Sequence, residues 1–174
     1  MLVINRTQIC MIVFYSAITF VVTYYFAAAV QTILHRLFGH HNRVRRVFEV
    51  HARGHHAKYP PERLISREWI ESEQHVIWYY YLVFLPVAVL VGWASGILIF
   101  LAHCSSLGFA IWWHVYLHKH YHLAGTLWER FPWFRRKREL HFIHHRAVHK
   151  NYAIVEYWID SLLGTRKNPA NECE

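Results

Sequence analysis

TQICMIVFYSAITFVVTYYFAAAVQTIL, residues 7–34, carries no formal charge. An α-helix rises about 1.5 Å per residue, so this stretch can cross a hydrocarbon core of about 30 Å with turns to spare. A cleaved signal peptide is the alternative, but the uncharged run is too long for its apolar region and no clear small-residue cleavage site precedes the charged block. The stretch therefore predicts a first transmembrane helix over about residues 8–34.

A second uncharged run extends from Gln74 to His118 and is interrupted by Pro86 and by GWASG at residues 92–96. It is too long for one crossing, and its length fits a hairpin of two helices over about 76–92 and 97–118. We therefore expect one all-α integral membrane domain, residues 1–174, with about three transmembrane helices. A re-entrant hairpin hidden in the first run would change that count.

The distribution of basic residues predicts the orientation of the chain. Hydrophobic residues make up 55% of the sequence and the formal net charge is +8. Eight Lys and Arg lie between residues 35 and 74 and eight more between 119 and 150, whereas the amino-terminal tail has only Arg6. The positive-inside rule places 35–74 and 119–174 in the cytoplasm. Topology and anionic lipid account for these charges, so no nucleic acid partner is expected.

Histidine is the one extreme feature of the composition, with sixteen in the chain. Fifteen fall on the predicted cytoplasmic side or in the last turns of helices that approach it, and only His103 lies deep. The segments HRLFGHH, HARGHH and HVYLHKHYH and the late stretch HFIHHRAVHKNY (residues 141–152) can converge below one membrane face. Taken alone, the last stretch could equally be a solvated basic surface. The three cysteines lie far apart and suggest neither disulfides nor a thiolate zinc site.

Imidazole nitrogens bind iron, copper, nickel and zinc. Histidines four residues apart on a helix can serve one ion, as in the pairs His51/His55, His114/His118 and His141/His145. Eight to ten rings exceed the needs of one ion, so two ions are implied. No Glu stands three residues before a His, which argues against a carboxylate-bridged di-iron bundle. The sequence also offers four possible partners for ring N–H groups, namely Glu49, Glu139, Asn151 and Asp160.

These motifs resemble the fatty acid hydroxylase superfamily of membrane di-iron enzymes. Its ordered boxes, H-x(3,4)-H, H-x(2,3)-H-H and a late H-x-x-H-H, match His35/His40, His51/His55/His56 and His141/His144/His145. The stretches HHAKYPPERLI (55–65) and HVYLH (114–118) are similar to fatty acid 2-hydroxylases, and WIDSLLGTR (158–166) is similar to a WDxxFGT ending. The resemblance runs from Leu34 to Arg166.

The resemblance implies a pair of irons that use O2 to insert oxygen into a C–H bond of a lipid, with zinc able to occupy the sites of purified protein. No catalytic residue beyond the ligands is implied. The ligands carried over are His35, His40, His51, His55, His56, His114, His118, His141, His144 and His145. Histidines outside the boxes are expected at the surface or in support of ligands, namely His41, His120, His122 and His149. We also expect channel walls from His103, Trp112, Trp113 and Tyr116, with membrane packing as their alternative role.

The resulting hypothesis is a lipid hydroxylase with its active site at the cytoplasmic face of a bacterial inner membrane, or of the endoplasmic reticulum in a eukaryote. Many relatives have four crossings rather than three, and the chain has no room for the fused haem domain that some carry. Electrons would then come from a separate reductase, ferredoxin or haem carrier. A desaturase on the same scaffold is the alternative enzyme. A non-enzymatic metal-binding or transport protein is the third reading, although transport predicts more ionisable groups inside the membrane.

Overall fold

A computed structural model describes residues 5–70 and 81–169. These residues form helices and no strand, apart from one isolated bridge between Ser66 and Leu123. The expectation of an all-helical protein is therefore confirmed for the described residues. Seven α-helices are named here: α1 (Arg6–Leu34), α2 (Arg45–Phe48), α3 (His56–Lys58), α4 (Leu85–Ala94), α5 (Ile97–Tyr121), α6 (Pro132–Arg146) and α7 (Trp158–Leu162).

Two π-helices, His35–His40 and Glu49–His55, continue α1 and α2, and a 3-10 turn covers Leu127–Arg130. Helix α1 begins at a capping box. The Asn5 side chain accepts the Gln8 backbone N–H and the Gln8 side chain accepts the Asn5 N–H, both at 2.9 Å. Its carboxyl end passes directly into the first π-helix, so the membrane-length helix leads without a loop into the first histidine segment.

The two long helices, α1 and α5, are long and apolar enough to cross a membrane. Their 29 and 25 residues correspond to roughly 40 Å each, against a hydrocarbon core of about 30 Å. Large apolar side chains along α1 face outwards; Val13 is 64% and Phe14 60% exposed. Such rows are expected to contact lipid, since soluble proteins rarely leave so much contiguous apolar surface uncovered.

The predicted helix over 76–92 falls partly outside the described residues, because 71–80 are not described. The described part contains α4, whose 10 residues span only about 15 Å. Pro86 lies in its first turn, where a missing N–H costs nothing. The third crossing and the cytoplasmic assignment of the histidine segments remain predictions.

Helices α1 and α5 run side by side in the same direction. Near the middle of the pair, Ala27 packs against Ala110 and Phe84. Two polar bonds join the helices further from the histidine end: Thr23 Oγ1 lies 2.9 Å from His103 Nδ1, and the Ser106 hydroxyl donates to the Phe20 carbonyl. Because the two helices are parallel, the carboxyl end of α1 and that of α5 deliver their histidines to the same end of the molecule.

Candidate metal centre

Eight buried or half-buried histidines form two groups, in each of which one ring nitrogen per residue lies within 4.8 Å of the others. The first cluster consists of His35, His40, His51 and His144. The second cluster consists of His55, His122, His141 and His145. Each cluster draws on three separate segments of the chain, and each could hold a metal ion. This confirms the expectation of a histidine-rich group able to bind metal; the identity of the metal remains a proposal.

The π-helices explain how the first cluster forms. In an α-helix, residues five apart differ by about 140° around the axis and cannot meet. A π-helix closes i→i+5 hydrogen bonds, which bring such residues onto one face. His35 and His40 span the first π-helix, and their Nε2 atoms are 3.3 Å apart. His51 Nε2 lies 2.8 Å from His35 Nε2 and 3.0 Å from His40 Nε2.

Gly39 makes room for this arrangement. A Cβ at this position would lie 2.9 Å from Cδ2 of His51 and 3.0 Å from Cδ2 of His35. Side-chain carbons are essentially never found that close, so any other residue would displace one of the two rings. The glycine is therefore required by the close approach of two imidazoles to the backbone of the first π-helix.

In the second cluster, a single helix provides two members. His141 and His145 are one turn apart on α6, with their Nε2 atoms at 3.2 Å. His122 Nε2, from the residue that follows α5, lies 2.9 Å from His141 Nε2. The remaining histidine of the late box, His144, belongs to the first cluster instead, so α6 serves both groups.

Backbone carbonyls fix the orientation of four cluster rings. The Nδ1–H groups of these rings donate at 2.5–2.8 Å: His35 to Tyr152 O, His122 to Leu64 O, His144 to Lys150 O and His145 to Tyr59 O. Because a carbonyl oxygen can only accept, each Nδ1 carries a proton and each neutral ring presents an Nε2 lone pair to its cluster. Metal-bound histidines are oriented in this way by the partner of the other ring nitrogen.

The lone pairs of the second cluster cannot be satisfied by hydrogen bonds alone. Both His122 Nε2 and His145 Nε2 face His141 Nε2, which can carry only one proton. In the first cluster, His144 Nε2 is buried and has no hydrogen-bond partner. Two nitrogens bound to one ion at about 2.0–2.1 Å, with angles of 90–110°, lie about 2.8–3.4 Å apart. Five pairs of Nε2 atoms within the clusters lie 2.8–3.3 Å apart, so each cluster could hold a cation.

Burial keeps these imidazoles neutral. It lowers the pKa of His122 to about 4 and holds the pKa values of His141, His144 and His145 well below 6.5. Neighbouring histidines lower the last three further, because two adjacent rings cannot both be charged. A neutral imidazole is the metal-binding form, so both clusters are ready to bind a cation at neutral pH.

Two further histidines flank the clusters. His56 Nε2 lies 3.2 Å from His51 Nε2, while its ring stacks on His145 with centroids 4.2 Å apart, so His56 sits between the clusters. His118 Nε2 lies 3.1 Å from His55 Nε2. His114, also predicted as a ligand, belongs to neither cluster, and its ring centroid is 6.4 Å from that of His118.

The sequence ranked His122 outside the ligands, yet it is fully buried in the second cluster. The spacing of His122 could have identified it as a ligand, because His118 and His122 are four residues apart and continue the face of α5 that carries His114. The structure also divides His51 and His55 between the two clusters, although their rings stack on each other with centroids 5.5 Å apart. The other extra histidines, His41, His120 and His149, belong to neither cluster.

The four polar residues that the sequence offered as partners for histidine ring N–H groups contact other groups instead. Asp160 is fully buried and accepts the backbone N–H groups of Tyr152 and Ala153, which places the Tyr152 carbonyl beneath His35. Asn151 ties its segment to the carbonyls of Leu140 and Lys167. The two glutamates pair with arginines at the surface, Glu49 with Arg45 and Glu139 with Arg146, both at 2.9 Å.

The residues expected to form channel walls divide into two sets. His103 is buried between α1 and α5, and its Nε2 has no hydrogen-bond partner. Trp112, Trp113 and Tyr116 lie on the other side of α5 from His118. Among the described residues, their ring neighbours include no cluster histidine.

Comparisons of the chain with known protein families, with curated proteins and with solved structures found no match.

Proposed function

We propose that this chain is a membrane-bound non-haem di-iron oxygenase that hydroxylates a C–H bond of a lipid or another hydrophobic substrate. The observation that supports the proposal most directly is the pair of four-histidine clusters at the shared end of two membrane-length helices. The resemblance of the ordered histidine boxes to the fatty acid hydroxylase superfamily supports the oxygen chemistry.

The donor set suits iron. All eight cluster ligands are imidazoles, and imidazole accepts iron, copper, nickel and zinc, so purified protein could also carry zinc. A pair of iron ions, when bound, supplies the activation of O2. Hydroxylation consumes the substrate C–H bond, one O2, two electrons and two protons, and it yields an alcohol and water. The electrons come from a separate reductase, ferredoxin or haem carrier.

The residues of this chain hold and orient the centre. Four backbone carbonyls keep the Nε2 lone pairs turned inwards, and burial keeps the rings neutral and limits water around them. An acyl chain that lies in the bilayer alongside α1 and α5 would bring its reactive carbon to the clusters, where both helices end. His103, buried between these helices, is the candidate channel residue.

The test is a lipid analysis of cells that express the protein, supplied with 18O2. His144→Ala removes a buried first-cluster ligand, and His149→Ala, a histidine of neither cluster, is the matched control. We expect a product that has gained one labelled oxygen with the parent protein and the control, and none with His144→Ala. Full activity of His144→Ala would refute the proposal.

The same experiment separates the alternatives. A desaturase would give a product that has lost two hydrogens and carries no label. Stable binding of two metal ions with no oxygen-dependent change in any lipid would favour a metal-binding or transport protein instead.

A further inference from the structure

A second feature of α5 lies apart from the clusters. A groove of about 590 Å³ opens where α5 meets the 3-10 turn. Its lining includes Arg67, Tyr116, His120, Thr126, Trp128 and Arg130. Tyr116 and His120 each stand two residues from His118, which is about 200° around the helix. The groove therefore faces away from the metal centre.

An aromatic ladder leads along α5 into this groove. Phe109, Trp113 and Tyr116 have nearly parallel rings, with interplanar angles of 10° at both steps and centroids 6.2 and 5.8 Å apart. The Tyr116 ring stacks in turn on His120 at 4.0 Å. The ladder follows a helix of membrane length, and its outermost ring, Phe109, is 40% exposed, so an acyl chain can lie along its apolar side.

Two arginines give the groove positive charge. Arg67 and Arg130 are exposed, and within the described part of the chain no carboxylate pairs with either one. The nearby Glu129 is engaged by the buried Arg138 at 2.8 Å and by the Gly125 N–H. Among the described residues none that lines the groove is acidic, so an anion that enters it meets two guanidinium groups.

A hydrogen-bond donor is also available there. The Tyr116 hydroxyl accepts the Trp128 indole N–H at 2.9 Å, which leaves its own proton free to donate. A phosphate diester has oxygens for this hydroxyl and for the two guanidinium groups, which bind phosphate in a bidentate fashion.

The rim of the groove is apolar. Leu127 is 68% and Phe131 45% exposed, and both line the groove. Apolar and aromatic side chains beside arginines are typical of the interface between headgroups and acyl chains, where the end of α5 is expected to lie.

We propose that this groove binds one anionic phospholipid, with its phosphate between Arg67 and Arg130 and an acyl chain along the aromatic ladder. The site is separate from the metal centre and requires only that α1 and α5 span the membrane. A lipid held there would anchor the end of α5, from which His118 and His122 reach the clusters.

The test is native mass spectrometry of the full metal-loaded protein, offered equal amounts of phosphatidylglycerol and phosphatidylcholine with identical acyl chains. We expect retention of one phosphatidylglycerol with about a tenfold preference, the scale of one charge-assisted contact. Arg67→Gln/Arg130→Gln should abolish the preference. Both side chains are exposed, so this variant is expected to fold.

The matched control is Arg43→Gln/Arg46→Gln, which removes the same charge from two other exposed arginines and should keep the preference. Unchanged preference in the groove variant, or equal loss in the control, would overturn the proposal. Displacement of the lipid by excess inorganic phosphate would show a site for free phosphate and would overturn it as well. Both variants should retain two metals per chain, so failure here is distinguishable from failure of the proposed oxygenase.

Discussion

His40 Nε2 lies 3.3 Å from His35 Nε2, although the two residues are five apart and a regular α-helix would turn them to different faces. The π-helix between them supplies the extra residue per turn. The π-helix that continues α1 therefore places two histidines in the first cluster. The packing around this π-helix can be tested directly.

Gly39→Ala should disrupt the first cluster and spare the second. The new Cβ would lie 2.9 Å from a His51 ring carbon, so His35 and His51 could not both keep their positions. We expect metal content to fall from two ions per chain to one, measured by inductively coupled plasma mass spectrometry. Gly108→Ala on α5 is the control, because its Cβ would meet nothing within 4 Å. Two ions retained by Gly39→Ala would argue against this packing.

His122→Ala should weaken metal binding by the second cluster, because it removes one of four convergent lone pairs. We expect at least about a 100-fold loss of affinity, since even outer-sphere partners contribute 10–100-fold. Competition with a chelator, monitored for each of the two ions, measures the effect. His114→Ala is the informative comparison, because His114 lies in neither cluster. Equal losses in both variants would show that His114 is also a ligand.

Asp160→Asn should destabilise the fold and loosen the first cluster. The carboxylate accepts the Tyr152 and Ala153 N–H groups and, at 2.6 Å, the Thr165 hydroxyl. An amide nitrogen in place of one oxygen leaves a buried donor opposite other donors, at a cost of about 1–3 kcal/mol. Denaturant unfolding measures that cost. Glu139→Gln, at an exposed ion pair, should be close to neutral. Equal stability of the two variants would contradict this role of Asp160.

Metal-free protein should lose stability as the pH falls below about 6.5. Burial lowers the folded-state pKa of His122 to about 4 from 6.5. Between these values the unfolded chain binds a proton that the folded chain does not, so the free energy of unfolding rises with pH. The stability is complete above about pH 6.5 and decreases towards pH 4, by up to about 1.4 kcal/mol per pH unit for one such histidine. Thermal unfolding of chelator-treated protein at several pH values measures this slope.

A control separates His122 from the other buried histidines. His122→Gln should show a shallower dependence on pH than the parent protein, because it removes a histidine whose pKa falls on folding. The same slope in both proteins would mean that His122 binds equal numbers of protons in the unfolded and folded states.

The sequence predicted the two long helices of the fold. The uncharged run ending at Leu34 predicted α1, and the run after GWASG predicted α5 to within a few residues. These two helices could be predicted without a periodic pattern of apolar residues, because the length of an uncharged apolar run alone indicates a membrane-spanning helix. The spacing of His141 and His145 likewise placed both on one face of a helix, and both lie in the second cluster.

The assignment of histidines to particular clusters could not be read from spacing. His51 and His55 look like an α-helical pair, but they belong to different clusters. The cluster that a ring joins depends on the rings it meets from other segments. His51 lies beside His35, whereas His55 lies beside His122. The partners of the ring N–H groups were also hidden, because backbone carbonyls such as those of Tyr59 and Leu64 have no signature in sequence.

The sequence by itself determined that this chain has helices of membrane length and four histidine-rich segments near their ends, because charge and length are local properties. Only the tertiary structure decided which residues of α1 and α5 meet, that α6 divides its histidines between two clusters, and that His122 joins the second. Those facts depend on contacts between residues far apart in the chain, which turn ring nitrogens towards a common point and exclude water from it.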